Sequence, residues 1–428
     1  MVNPKNVAFA GLDNMKIIVA PIDLKKGMYV SELDRPWLES PFMFQGFRIT
    51  NDDEIKQITH LCEFVFVDTE KSTVSVPQQR AADENDENRE IELTTSRIIK
   101  RADPYINTFD DEYPVAESIH QHAQTMASAL FHDVRIGRSL DVEETRRTVN
   151  QMVDSILRNP DAMVLLASLS EKDDALAAHA MTVCTLSISF GRYIGLDKET
   201  LVDLGMGALI HDIGETKLPA ELLTPGTNLS DEDRSLLESH THIGTMIVKK
   251  RAGVSDRVIS IVRDHHERAN GSGYPGKVGN SKLDICSRIV SIIDTYDSIT
   301  SGVHGRPKIE LDVALKYIYS WREGLFDALL VEKFIQCIGI YPIGSMVELR
   351  SGDIGIVISS QPDARLFPKV LLILDAGGES VVPPKTMNLA LFREKGGDDN
   401  SYEVKRLVNP QAYYIDVRAL VLRELAAA

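Results

Sequence analysis

The 428-residue chain has only four cysteines, Cys62, Cys184, Cys286 and Cys337, scattered and without a CxxC pair. That is too few and too dispersed for a disulfide framework or a structural thiolate zinc site, and it fits a reducing compartment. No apolar run approaches the ~20 residues of a membrane span. The opening MVNPKNVAFAGLDNMK lacks the apolar core and small-residue cleavage site of an export signal. A cytoplasmic protein without a membrane span is expected. Positive charge is also short, with 47 Lys and Arg against 63 Asp and Glu and a net charge of −16. Bulk electrostatic binding of DNA or RNA is thereby disfavoured, and an anionic ligand would need a local cationic site. No internal repeat is evident.

With 43% hydrophobic and 26% charged residues, the chain has the composition of a folded globular protein, long enough for about two or three domains. Residues 14–70 combine alternating apolar and polar positions with a helix-start signal, Asn51 followed by Glu54, and a strand-like EFVFVD. A small α+β domain is predicted there. Trp37, Phe42, Phe44 and Phe47 are read as its core in preference to a partner-binding face, although a protein partner through this domain is left open. Residues 71–113, with AADENDENREIE, have linker composition. Helical spacing runs through 114–335, beginning with Val115, Ile119, Ala123, Met126, Leu130 and Val134 and broken by the polar loop HERANGSGYPGKVGNSK. Residues 340–428 switch to period two around Ser351-Gly352-Asp353 and around LLILDAGGESVVPP, which predicts a small β-rich domain with Gly377-Gly378 in a turn. The fold class expected is multidomain: an all-α region of residues 114–335 between these two units.

Six of the eleven histidines lie between positions 179 and 266, where even scattering would place about two. His211-Asp212 closes an apolar helical stretch and is followed by Gly214. Adjacent helical residues project about 100° apart, so such a pair can offer an imidazole to one ion and a carboxylate that reaches a second. The dipeptide alone is a weak signal, since His132-Asp133 repeats it without further histidines at matching intervals and is read as structural. His240 and His242 sit on a predicted helix opening at Ser230 with Asp233 at the capping-box position, and they point to different faces, so one of them at most joins a shared site. His265-His266-Glu267 ends another apolar stretch, and two buried consecutive imidazoles would both need partners. Asp294 follows Ile292 and Ile293 on a helical stripe, where an uncompensated carboxylate would be costly. Asp297, one turn on, is read as an exposed or capping residue. Imidazoles and carboxylates without thiolates suit iron or manganese. Two such ions about 3.5–4 Å apart would activate a bridging hydroxide for in-line attack on a phosphoester.

His179, HDIG at 211–214, His240, HHE at 265–267, GSGYP at 271–275 and Asp294 together resemble the HD-GYP subgroup of the HD metal-dependent phosphohydrolases, over roughly residues 165–335. The stretch GMYVSELDRPWLESPFMFQGF resembles a small domain of unknown role that often precedes that catalytic domain. The resemblance implies a hydrolase of the bacterial second messenger cyclic di-GMP. It carries two divalent ions, Fe or Mn, onto His179, His211, Asp212, His240, His265, His266 and Asp294, with Asp212 as the bridging carboxylate. It places Gly273, Tyr274 and Pro275 beside the substrate, and Arg306 and Lys308 against its phosphates. Two departures stand out. The usual HDIGK reads HDIGE here, so the lysine's catalytic role falls to Lys217 or is lost. The position four before the first histidine, where some members hold a third metal with an acid, is Ala175, which implies two metals; Asp173 and Asp174 are off by one or two positions. Alternative readings are a nucleotide receptor or scaffold that keeps its metals without turnover, and an HD hydrolase of nucleotide tri- or tetraphosphates. A homodimer is left open.

Overall fold

A computed structural model describes residues 16–19, 21, 24–33, 47–61, 65–68, 71–74, 95, 99, 104–170, 174–224, 230–302, 308–360, 366–394, 402–413 and 415–426. The chain divides into two compact units. The first is formed by residues 1–85, 220–235 and 304–307, the second by the remainder.

In the first unit the alternating segments form an antiparallel sheet of β1 (Lys16–Val19), β2 (Tyr29–Leu33), β3 (Phe47–Arg48) and β4 (Val65–Asp68), ordered β1-β4-β2-β3. Helix α1 (Asp52–Leu61) starts where the sequence signals it: Glu54 N–H donates to Asn51 Oδ1 at 2.9 Å, and Asn51 N–H to Glu54 Oε2 at 3.2 Å. This reciprocal pair satisfies two N–H groups that the first turn leaves without helical partners. The core is Met28, Val30, Ile49, Ile58, Val65 and Val67, with Phe47 packed against it. Trp37, Phe42 and Phe44 lie outside the described residues.

The second unit is mostly helical. Its helices are α2 (Phe109–Arg135), α3 (Val142–Arg158), α4 (Pro160–Ser168), α5 (Ala175–Tyr193) and α6 (Lys198–Ile210), then α7 (Asp231–Glu238, whose first turns belong to the other unit), α8 (His240–Lys249), α9 (Asp256–Asp264), α10 (Ile285–Ser301), α11 (Leu311–Ser320) and α12 (Ala328–Ile338). α2 begins six residues before Val115 because Thr108 caps it, accepting from Asp111 N–H at 3.2 Å. α6 is buried at every position from Leu201 to Ile210, and α5 and α10 are nearly so. Helices apolar all round belong in a core, and these three carry His179, His211 and Asp294. Phe334 of α12 packs edge-on against Phe190 at 5.5 Å and Tyr296 at 5.3 Å, tying α5 to α10.

One expectation fails here. The helix read as running from Ser230 past His240 is two helices. Ser239 Oγ, His240 Nδ1 and Thr241 Oγ donate to the carbonyls of Leu236, Leu237 and Glu238 at 2.6, 2.7 and 3.0 Å. Three consecutive side chains thus take the last carbonyls of α7, an alternative to the helical ladder that sequence periodicity does not reveal.

After α12 come β5 (Met346–Leu349), β6 (Ile354–Ser359), β7 (Lys369–Leu374), β8 (Ser380–Asn388), α13 (Leu389–Glu394), β9 (Val404–Val408) and α14 (Val417–Ala426). The sheet is antiparallel, ordered β8-β7-β6-β5-β9, with Gly378 at φ +81° in the β7–β8 turn. β6 is buried along its whole length. One face meets the small β core, and its end reaches α4, where Asp161 Oδ2 accepts from Ser359 Oγ at 2.6 Å and Ser360 N–H at 2.9 Å. The C-terminal sheet and the helices fall in one compact unit. No helix among the described residues is long and apolar enough to cross a membrane.

Candidate metal centre

All seven histidines and aspartates singled out as ligands come together in the second unit. They fall into two groups whose ligand atoms lie within 4.8 Å of one another: His179, His211 and Asp294, and Asp212, His240, His265 and His266. Asp212 joins them. Its Oδ2 is 3.1 Å from His211 Nε2 and 3.7 Å from His179 Nε2, while its Oδ1 is 3.3 Å from His265 Nε2 and 3.4 Å from His240 Nε2. Asp294 Oδ1 is 3.1 Å from His179 Nε2, and its Oδ2 is 3.8 Å from His266 Nδ1. His242, two residues from His240, is exposed.

The local backbone sets this geometry. His211 and His265 stand at the C-terminal ends of α6 and α9, and their Nδ1–H groups donate to Ala208 O at 2.7 Å and Val262 O at 3.1 Å. His240 does the same at the end of α7, through Leu237 O. Carbonyls in a last helical turn lack helical N–H partners, so they fix each ring as the Nδ1–H tautomer with the Nε2 lone pair facing inward. Gly214 brings the turn after Asp212 against α8: a Cβ there would lie 2.0 Å from His240 O and 2.7 Å from Gly244 N.

The atoms left over fit cations. His211 Nε2 and Asp212 Oδ1 are buried without a hydrogen-bond partner. The lone pairs of His240 Nε2 and His265 Nε2 face each other at 3.3 Å, which is repulsive unless something positive lies between them. Burial and the neighbouring His265 hold His266 well below the ordinary imidazole value, and burial likewise lowers His265. Burial would raise Asp212 and Asp294, but the surrounding imidazoles outweigh it and hold both below the usual carboxylate range. Burial would lower His179 and His211 too, yet the carboxylates beside them raise both. Ionised carboxylates among largely buried imidazoles are a donor set for divalent ions.

Of the substrate-side residues, Gly273 is buried where a Cβ would meet His266 O at 2.3 Å and Arg268 N at 2.5 Å, so only glycine fits. Tyr274 is half-buried with its ring 4.7 Å from that of His266, and Pro275 is exposed. Lys308 is exposed, and Arg306 lies outside the described residues. Lys217, expected as a catalytic cation, is not brought to the cluster. Its ammonium donates to Val134 O and Arg135 O, where a cation complements the C-terminal end of α2. Glu215 is buried. Asp174 caps α5 through Ala177 N–H at 3.3 Å, and Ala175 is exposed.

Two residues that contact the cluster or its loop were given no role by the sequence reading. Asp297, read as exposed or capping, is buried and accepts from His179 Nδ1–H at 2.6 Å. The only signal was its position three residues after Asp294, on the same helical face. Glu267 is buried and accepts from Gly276 N–H at 2.5 Å and Val278 N–H at 3.0 Å, holding the loop that carries Tyr274.

This fold and site define an HD domain: residues 164–330 match the HD domain model, and residues 17–145 match the domain of unknown function DUF3391. The chain thus carries an HD domain preceded by a DUF3391 domain, and it is homologous to curated cyclic di-GMP phosphodiesterases. It is 26% identical over 368 residues to the cyclic di-GMP phosphodiesterase PA4108 of Pseudomonas aeruginosa, covering 86% of this chain and 87% of that one. Identity is also 26% over 225 residues to the cyclic di-GMP phosphodiesterase response regulator RpfG of Xanthomonas campestris, covering 52% and 54%. Among solved structures, Bd1817, an HDG"Y"P protein from Bdellovibrio bacteriovorus, aligns with a TM-score of 0.45 and 19% identity over 74% of this chain and 98% of that one.

Proposed function

We propose that this protein hydrolyses cyclic di-GMP at a dinuclear centre of iron or manganese held by His179, His211, Asp212, His240, His265, His266 and Asp294. It is a metal-dependent phosphodiesterase. The observation that carries the reading is the division of Asp212, one carboxylate oxygen toward His179 and His211 and the other toward His240 and His265. That is the placement a carboxylate shared by two ions requires. When bound, such ions supply Lewis acidity toward a phosphate oxygen and make water acidic enough to ionise near neutral pH.

The chain's own groups do the rest. Five imidazoles and two carboxylates, with Asp297 behind His179, leave the cluster with a formal charge of about −3, which two divalent ions would overcompensate, so the loaded site would attract a phosphodiester despite the acidic chain. Tyr274, standing over His266, offers a ring face to a guanine base. Arg306 and Lys308 are proposed to meet the phosphates. With Lys217 engaged at the end of α2 and Glu215 at the usual lysine position, no lysine of the turn after Asp212 is assigned a part in the reaction. The names of PA4108 and RpfG support the choice of substrate.

Protein loaded anaerobically with Fe(II) or Mn(II) should convert cyclic di-GMP to linear dinucleotide or GMP, and Asp212→Ala should abolish conversion. Binding of the dinucleotide without any product from the loaded wild type would overturn the reading in favour of a receptor.

A further inference from the structure

Three of the four ligand histidines that face the centre through Nε2 are fixed by helix-end carbonyls, those of Ala208, Leu237 and Val262. His179 cannot be. It lies within α5 at the start of its second turn, where the nearby carbonyls are already taken by helical N–H groups. Its Nδ1–H finds a carboxylate instead, Asp297 Oδ2 at 2.6 Å, projected from α10 three residues beyond Asp294. Both partners are nearly fully buried, and Asp294 Oδ1 stands at the other ring nitrogen, 3.1 Å from Nε2. One face of α10 thus supplies a candidate ligand and the group that orients its neighbouring ligand.

We propose that Asp297 is a positioning residue for the ion held by His179, His211 and Asp294: it fixes the His179 tautomer and ring, and its charge makes Nε2 a stronger donor. The proposal rests on the dinuclear reading above. Because the other three rings are held by their own backbone, loss of Asp297 acts on one ion and leaves the other, held by His240, His265 and His266, in place.

The test is Mn(II) binding to the full-length protein and to its Asp297→Ala and Asp297→Asn variants. Stoichiometry and affinity at each position are read by competition with a chelator, and coupling between ions by electron paramagnetic resonance. The wild type should bind two ions with an exchange-coupled spectrum. Asp297→Ala should lose about 10- to 100-fold in affinity at one position only and show the six-line spectrum of isolated Mn(II). Asp297→Asn keeps an uncharged acceptor for Nδ1–H and should fall between the two. Variants that bind both ions as the wild type does, or that lose both ions or only thermal stability, overturn the proposal, as does a wild type that takes up no Mn(II). Hydrolysis is scored separately. An affinity order Asp, Asn, Ala in a protein that binds two ions and cleaves nothing supports Asp297 and removes the proposed reaction.

Discussion

At Gly214 the distance between the turn after Asp212 and helix α8 is decided by the absence of one carbon. The atoms a methyl would strike, His240 O and Gly244 N, are backbone and cannot swing aside. Gly214→Ala should therefore push α8 and His240 outward, costing about 1–3 kcal/mol or more of stability and lowering metal content in the same protein, by calorimetry and elemental analysis. An alanine variant with unchanged melting and full metal content would show that the close approach is not needed. At this scale His211, His265, His266 and Asp294 were readable as candidates because each stands at a recognisable place, a helix end or a stripe after paired isoleucines, whereas His179, inside α5, came from the resemblance alone. Asp297 was not, because its meaning depends on His179, 118 positions earlier. A single sequence gives the face of a helix but not what that face meets.

At the scale of elements, Glu267 anchors the stretch of the glycine-rich loop that follows Tyr274. Glu267 accepts two backbone N–H groups, and Glu267→Gln would turn an amide N–H₂ toward one of those donors. Loss of a hydrogen bond to a charged acceptor costs about 1.5–3 kcal/mol, so amide exchange at Gly276 and Val278 should quicken by about tenfold or more. The KM for cyclic di-GMP should rise through the loosened Tyr274. Unchanged exchange at both amides would place the anchoring elsewhere. Helix patterns were legible wherever one face is apolar, as in α1 and α2. The break between α7 and α8 was hidden because it is made by side-chain donors that leave the hydrophobic spacing of Leu236, Leu237 and Ile243 intact. The docking of β6 on α4 could be suspected from the unbroken apolar IGIVIS, but its partner could not.

Across the whole molecule, two buried groups outside the metal cluster oppose each other in their response to pH. Burial, opposed by hydrogen bonds from Ser359, Ser360 and Tyr105 and by Arg192, pushes the Asp161 carboxyl up to about 6. Its contribution to stability is present below the ordinary carboxylate value and is lost as pH rises through about 6. Burial pushes His120, beside Ser170 Oγ at 3.2 Å, down to about 4. Its contribution is present above the ordinary imidazole value and is lost as pH falls through about 4. Each is worth about 3 kcal/mol, so between pH 4 and 6.5 they nearly cancel. Relative to the wild type, the stability of Asp161→Asn should gain a rising slope with pH in that window, and that of His120→Asn a falling one, in denaturant titrations at stepped pH. Parallel curves for all three proteins would contradict the two buried states. The claim on which the functional reading stands is the sharing of Asp212 between two ions, and anomalous diffraction from crystals of the Mn(II)-loaded protein tests it most directly. Two peaks about 3.5–4 Å apart, one by His179, His211 and Asp294 and the other by His240, His265 and His266, with an oxygen of Asp212 on each, is the result expected; a single peak, or two with Asp212 bound to neither or only one, would contradict it.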